Sequence, residues 1–177
     1  MLLYLSMKNR LFLAIPAVLD DYEAIINDFS WVVSGRWVPP QNLHLTVSFF
    51  GDLLSAEALQ EKLSALPFEV TPSLIRGLGY FRKSGILYGK VENPSLERVY
   101  REVDELFGLP VKEHFTPHVT LLHSKFFYDE EHFYGQLALY RDKPLGHLEN
   151  ELLLMQSELH SDGAKYRAVK RFGHDHH

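Results

Sequence analysis

Cysteine is absent from the 177 residues. That excludes a disulfide framework, a thiolate nucleophile and any cysteine-ligated metal site, and it suits a reducing cytoplasm. Also missing is any apolar run near the ~20 residues a membrane-spanning helix needs. The apolar start has no basic segment ahead of it that would mark a signal peptide. Positive charge is in short supply too, the formal net charge being -5 with histidine neutral. An extended nucleic-acid surface would rest on many Lys and Arg contacts to phosphate. A grip on one phosphate at a chain end needs only local donors, and this charge balance permits it. No long Pro/Gly/Ser-rich linker divides the chain. The expectation is a soluble cytoplasmic monomer with no membrane contact, built as one domain over 1–177, with 173–177 a flexible tail.

What is present points to two similar halves. Twelve Phe and nine Tyr favour sheet-rich packing. Leu11 to Ile15 reads as a buried strand, and Val18, Tyr22, Ile25, Ile26 and Phe29 recur at helical spacing after it. Pro39-Pro40 argues against a regular helix beyond. From Leu43 the period becomes two: Leu43, Leu45, Val47 and Phe49 point one way, His44, Thr46, Ser48 and Phe50 the other. Gly51-Asp52 ends that strand, and Ser55 caps a helix bearing Leu59, Leu63 and Leu66. The scheme then repeats. Ile86 to Val91 reads as a strand, Asn93-Pro94 opens a helix with an apolar stripe from Leu96 to Phe107, and Gly108 ends it. Pro117 leads into a strand over His118 to Leu122. Asp129 to Tyr140 reads as a helix, Glu151 to Ser157 as a core strand, and Lys165 to Phe172 as a closing strand after a turn at Ser161-Asp162-Gly163. The fold class is α+β, with strand-helix-strand units duplicated about a central cleft between two joined lobes.

Each His-bearing strand carries His-x-Thr. On a strand, residues i and i+2 share a face, so His44 and Thr46 present an imidazole and a hydroxyl to one space, and His118 and Thr120 do the same. If the strands meet, two imidazoles and two hydroxyls surround one phosphoryl group. The hydroxyls can donate to its non-bridging oxygens. One imidazole can take a proton from water while the other gives one to the departing oxygen, a job suited to a side chain with a reference pKa of ~6.5. This chemistry asks for no metal and no cofactor. A lone His-x-Thr is usually structural; two copies in matching contexts favour chemistry.

At these residues the chain resembles the RNA 2',3'-cyclic phosphodiesterases, historically called 2'-5' RNA ligases, of the two-histidine phosphoesterase superfamily. The matching stretches are RLFLAI from Arg10, RWVPPQNLHLTVSFFGDL from Arg36, FTPHVTLL from Phe115 and SELHSDGAKYRAVKRF from Ser157. The resemblance implies a bilobal fold with pseudo-twofold symmetry and the two motifs facing each other. It implies a partner, RNA ending in a 2',3'-cyclic phosphate, and a 2'-phosphate product, with ligation as the reverse reaction. His118 is then the general base, His44 the general acid, and Thr46 and Thr120 hold the phosphate oxygens. Where the family often has an arginine that helps hold the phosphate, this chain has His123, with at most one donor when neutral against five for guanidinium. His123 has the opposite strand parity to His118 and reaches the pocket only if the strand twists or ends there; otherwise Lys125 or another cation substitutes.

The remaining candidates have plainer readings. The histidines at 114, 132, 147 and 160 are read as surface or structural, and His174 to His177 as tail rather than a loose metal site. Tyr166 and Phe12 are core residues or border a base pocket; Arg10, Arg36 and Lys125 steer an RNA end or are simply solvated. Gly77-Leu78-Gly79 lacks the ending of a phosphate loop. The alternatives to RNA cyclic-phosphate hydrolysis are a two-histidine activity on small cyclic nucleotides or 2'-5'-linked oligonucleotides, and a noncatalytic RNA-end binder.

Overall fold

The computed structural model describes residues 10–51, 54–66, 71–109, 115–160 and 163–172. The chain runs β1 (Arg10–Leu19), α1 (Tyr22–Phe29), β2 (Val33–Trp37), a 3-10 turn (Pro40–Asn42) and β3 (His44–Gly51). It continues through α2 (Ala56–Ser64), β4 (Ser73–Phe81), β5 (Ile86–Glu92), α3 (Ser95–Phe107) and β6 (His118–Phe127). The last elements are α4 (Glu130–Leu139), β7 (Pro144–Leu148), β8 (Leu152–His160) and β9 (Gly163–Phe172).

The local signals explain most of these elements. Asp21 caps α1 by accepting from the Ala24 N–H at 3.1 Å, so the helix starts at Tyr22 and Val18 stays in β1. Ser55 caps α2 through the Ala58 N–H at 3.2 Å. Asn93 accepts from the Ser95 N–H at 2.9 Å, and Gly108 ends α3 in the left-handed region at φ 62°, where a side chain is disfavoured. The apolar stripes face inward: Tyr22, Ile25 and Phe29 on α1, Leu96, Val99 and Val103 on α3, Leu59 and Leu63 on α2. Phe29 and Phe133 are fully buried with ring centroids 5.7 Å apart. Each such side chain contributes roughly 1.5–3 kcal/mol on burial. Three strands that the sequence reading did not identify, β2, β4 and β7, complete the sheet. The turn at 161–162, Asp52 and the tail at 173–177 lie outside the described residues.

All pairings are antiparallel, in the order β2-β6-β5-β4-β7-β1-β8-β9, with β3 paired to both β1 and β6. The strands thus form two groups, one led by β6 and β5, the other by β1 and β8. They join through β4 and β7 on one side. On the other they meet through β3 and β6 at one residue pair among those described, Leu45 opposite Val119. The two His-x-Thr motifs flank that pair. The repeated order strand, helix, His-bearing strand is β1-α1-β3 and β5-α3-β6. Among the described residues no helix is long and apolar enough to cross a membrane.

Candidate active site

The Leu45–Val119 pair sets the geometry. Both side chains are fully buried, so their strand neighbours project to the opposite face. Continuing the antiparallel register places His44 across from Thr120 and Thr46 across from His118. The four residues of the two motifs therefore bracket one backbone contact.

The two histidines are held alike. His44 Nδ1 lies 2.6 Å from the Asn42 carbonyl oxygen, and His118 Nδ1 lies 2.8 Å from that of Thr116. A carbonyl only accepts, so each Nδ1 carries the proton and donates it. In the neutral ring Nε2 is then the basic nitrogen, which is the tautomer that proton transfer at Nε2 requires. His44 Nε2 is 3.1 Å from Thr46 Oγ1, close enough to accept from the hydroxyl. Tyr100 on α3 donates to the Thr46 carbonyl, tying the motif strand to the helix behind it.

Aromatic rings frame each imidazole. His44 lies against Phe12 at 5.2 Å and edge-on to Tyr166 at 5.4 Å between ring centroids. His118 lies edge-on to Phe81 at 5.1 Å and Tyr88 at 5.6 Å. Phe12 and Tyr166 thus border the site, whereas Phe81 and Tyr88 were missed in the sequence because nothing in their local pattern separates them from core aromatics. Lys90 is also on this face, opposite His118 across the β5–β6 ladder. The pKa of His44 is lowered, first by burial, with a smaller lowering from the charge of His118; the Asn42 hydrogen bond opposes both. The two imidazoles are therefore close enough for the proton on one to disfavour a proton on the other.

A β-bulge follows each motif. On β6, Tyr88 pairs with Thr120 but Leu87 pairs with Leu122, leaving one extra residue on β6. Leu121 and Leu122 are both fully buried. The carbonyl of Leu121 accepts from the Val38 N–H at 2.7 Å and lies 3.1 Å from the Tyr22 hydroxyl, which satisfies the backbone group the bulge displaces. The extra residue reverses parity. His123 pairs with Ile86 on the unbulged β5, whose Ile86, Tyr88 and Lys90 share one face. His123 therefore stands on the same face as Thr120 and His118, and the bulge answers the parity objection raised by the sequence. On β3 the same shift falls at Val47-Ser48. Val47, Ser48 and Phe50 are buried and Phe49 is 56% exposed, the reverse of the strict alternation expected for Ser48, Phe49 and Phe50. Phe49 is thus the pseudo-symmetric counterpart of His123.

His123 lines a pocket with Arg36, Asn42 and Tyr166. Its pKa is lowered by burial and then by the Arg36 charge. Lys125 is exposed, as is Arg10. The other histidines take no part: His132 bonds Asp129 at 2.6 Å, His160 approaches Glu158 at 3.3 Å, and His147 is exposed on β7; His114 lies outside the described residues. Among the described residues no group of three or more His, Asp or Glu side chains is placed to hold a metal ion.

Residues 19–88 match the family described as LigT like Phosphoesterase. The chain is 31% identical to the RNA 2',3'-cyclic phosphodiesterase of Aquifex aeolicus over 168 residues, 85% of this chain and 87% of that one. It is 28% identical to the protein of the same description from Methanothermobacter thermautotrophicus, covering 94% of this chain and 99% of that one. Among solved structures, E. coli LigT complexed with 3'-AMP superposes with a TM-score of 0.69 at 21% identity, over 95% of this chain and 99% of that one. A Thermus thermophilus crystal structure superposes with a TM-score of 0.64 at 25% identity, over 92% and 96%.

Proposed function

Because the chain belongs to the LigT-like phosphoesterases, the family of the RNA 2',3'-cyclic phosphodiesterases, we propose that it hydrolyses RNA 2',3'-cyclic phosphate ends with His44 and His118 as its proton-transfer pair. The observation that carries this reading is the matched hold on both rings: Nδ1 bound to the carbonyl two residues earlier, which makes Nε2 the basic nitrogen of each neutral ring.

Water attacks phosphorus opposite the 3'-oxygen as His118 Nε2 takes its proton. The P–O3' bond breaks, and protonated His44 gives its Nε2 proton to the leaving oxygen. The products are a 2'-phosphomonoester and a free 3'-hydroxyl. Solvent then returns a proton to His44 and removes one from His118. Each proton transfer is typically worth ~10²–10⁴-fold in rate. Thr46 and Thr120 donate to the non-bridging oxygens, where charge is stabilised. A cyclic phosphate carries negative charge, so its arrival raises the pKa of His44 and loads the acid for its task. With a 5'-hydroxyl attacking phosphorus in place of water, the same groups acting in the same direction would form a 2'-5' linkage and free the 3'-hydroxyl.

The reading takes the protein as a cytoplasmic monomer acting on RNA ends. Both motifs come from one chain, so the site asks for no second copy. The test is to incubate the protein, treated with chelator, with an oligoribonucleotide bearing a 2',3'-cyclic phosphate and to identify the new end by phosphorus NMR. A 2'-phosphate is the expected product. A 3'-phosphate would reverse the leaving-group assignment, and absence of turnover across substrate lengths would overturn the activity.

A further inference from the structure

The cleft contains more cation than the reacting phosphate uses. Arg36 on β2 is paired across the ladder with His123 on β6, and the bulge turns His123 to the cleft face. Both side chains line the pocket that Asn42 and Tyr166 also border. Asn42 is the residue whose carbonyl holds His44, and the Tyr166 ring lies against the His44 ring, so this pocket adjoins the catalytic pair at the end where His44 faces Thr120. The Arg36 charge is felt by both His123 and Tyr166, two other side chains of this pocket. Among the described residues no carboxylate forms an ion pair with Arg36. An arginine with no carboxylate partner among the described residues, paired across the ladder with an imidazole in a pocket that adjoins His44 through Asn42 and Tyr166, is suited to a second anion.

Position decides which anion. His118 and Thr120 are adjacent steps on one strand face, and His123 is the next step after the bulge. At ~3.3 Å per residue, each step of two residues along a face is about 6.6 Å. The group nearest Arg36 and His123 is therefore displaced from the reacting phosphorus by about the span of one nucleotide. In an RNA with a cyclic phosphate at its 3' end, the next phosphate along the chain is the 5'-phosphate of that same terminal nucleotide.

We propose that Arg36 and His123 form a second phosphate subsite, which binds the 5'-phosphate of the terminal nucleotide and makes the enzyme prefer chain ends over unphosphorylated mononucleotides. The inference rests on the cyclic-phosphodiesterase reading and adds to it the feature of the substrate that is recognised. Arg36 is the principal contact, since guanidinium can clasp phosphate in a bidentate fashion.

The minimal probe is adenosine 2',3'-cyclic phosphate with and without a 5'-phosphate, compared by kcat/KM. In the unaltered protein the 5'-phosphate is expected to raise kcat/KM by about 10–100-fold, the worth of a hydrogen bond to a charged group. In Arg36→Ala that ratio should collapse toward one, and Arg36→Lys should retain part of it. A ratio that survives in Arg36→Ala overturns the proposal, whether both substrates weaken together or neither changes. Calorimetric binding of adenosine 2'-phosphate against adenosine 2',5'-bisphosphate gives the same comparison without turnover. If the unaltered protein binds the bisphosphate more tightly through Arg36 yet hydrolyses neither cyclic substrate, the activity fails and the subsite stands. If it binds the two equally, the subsite fails whatever the activity.

Discussion

At the scale of single residues, the catalytic reading reduces to where two protons sit. Each Nδ1–H is fixed by a carbonyl, so the chemistry is left to Nε2. The lowered pKa of His44, caused first by burial and then by the charge of His118, keeps that ring neutral at neutral pH in the free protein. NMR titration of the His44 ring should give a midpoint below the ordinary ~6.5. His118→Gln should raise it, because a positive neighbour is removed, and adenosine 2'-phosphate should raise it further. A midpoint indifferent to both changes would mean that the rings do not share one site. The sign for stability follows from the same shift. A folded-state pKa below the unfolded value means stability is whole above ~6.5 and declines as pH falls through the folded pKa.

At the scale of elements, the site depends on a hinge and two bulges. Leu45 and Val119 form the contact between β3 and β6, and Leu45 is fully buried. Leu45→Ala should destabilise the fold by roughly 2–5 kcal/mol. It should also lower kcat in protein that is still folded, since small displacements of catalytic groups are costly; denaturant melts and rate assays below the transition check both. Unchanged kcat would mean that the motifs are positioned by something other than this pair. Legibility in the sequence divides along the same line. The third helix starts one residue later than Asn93-Pro94 suggests, with Pro94 at the cap position, but the two motifs, their strands and the cap at Ser55 could be read because period and cap chemistry are local. The bulges could not, because nothing local fixes which residue of Val47-Ser48 or Leu121-Leu122 is the extra one; only pairing with β1 and β5 decides it. The doubled apolar Leu121-Leu122 was the available hint. β2, whose Gly35 must pass against the His123 carbonyl, lacks an alternating apolar pattern and is formed by its partner strand. Local sequence therefore leaves Arg36 open between steering an RNA end and simple solvation, and its pairing partner is what puts it beside His123.

At the scale of the whole molecule, the charge balance sets how much RNA can be held. With a net charge of -5, affinity should come from the terminal phosphates rather than from a long basic track. Single-stranded binding loses about 0.7 in log K per log unit of salt for each phosphate neutralised. A cyclic-phosphate end held at two phosphates should therefore show a slope of about -1.4, unchanged when the RNA is lengthened. A slope that steepens with length would reveal an extended interface and contradict this view. The enclosing fold serves the same end: two lobes, joined through β4–β7 and touching at Leu45–Val119, bring one His-x-Thr from each to a shared cleft.

The most direct measurement is single-turnover hydrolysis of a 2',3'-cyclic phosphate RNA by His44→Ala, His118→Ala and the double variant, with substrate binding measured alongside. Each single variant should lose ~10²–10⁴-fold in rate while still binding. The double variant should lose far less than the product of the two, because an acid and a base that act in one step fail together. A single variant that retains the full rate, or losses that simply multiply, would contradict the two histidines working as one acid–base pair.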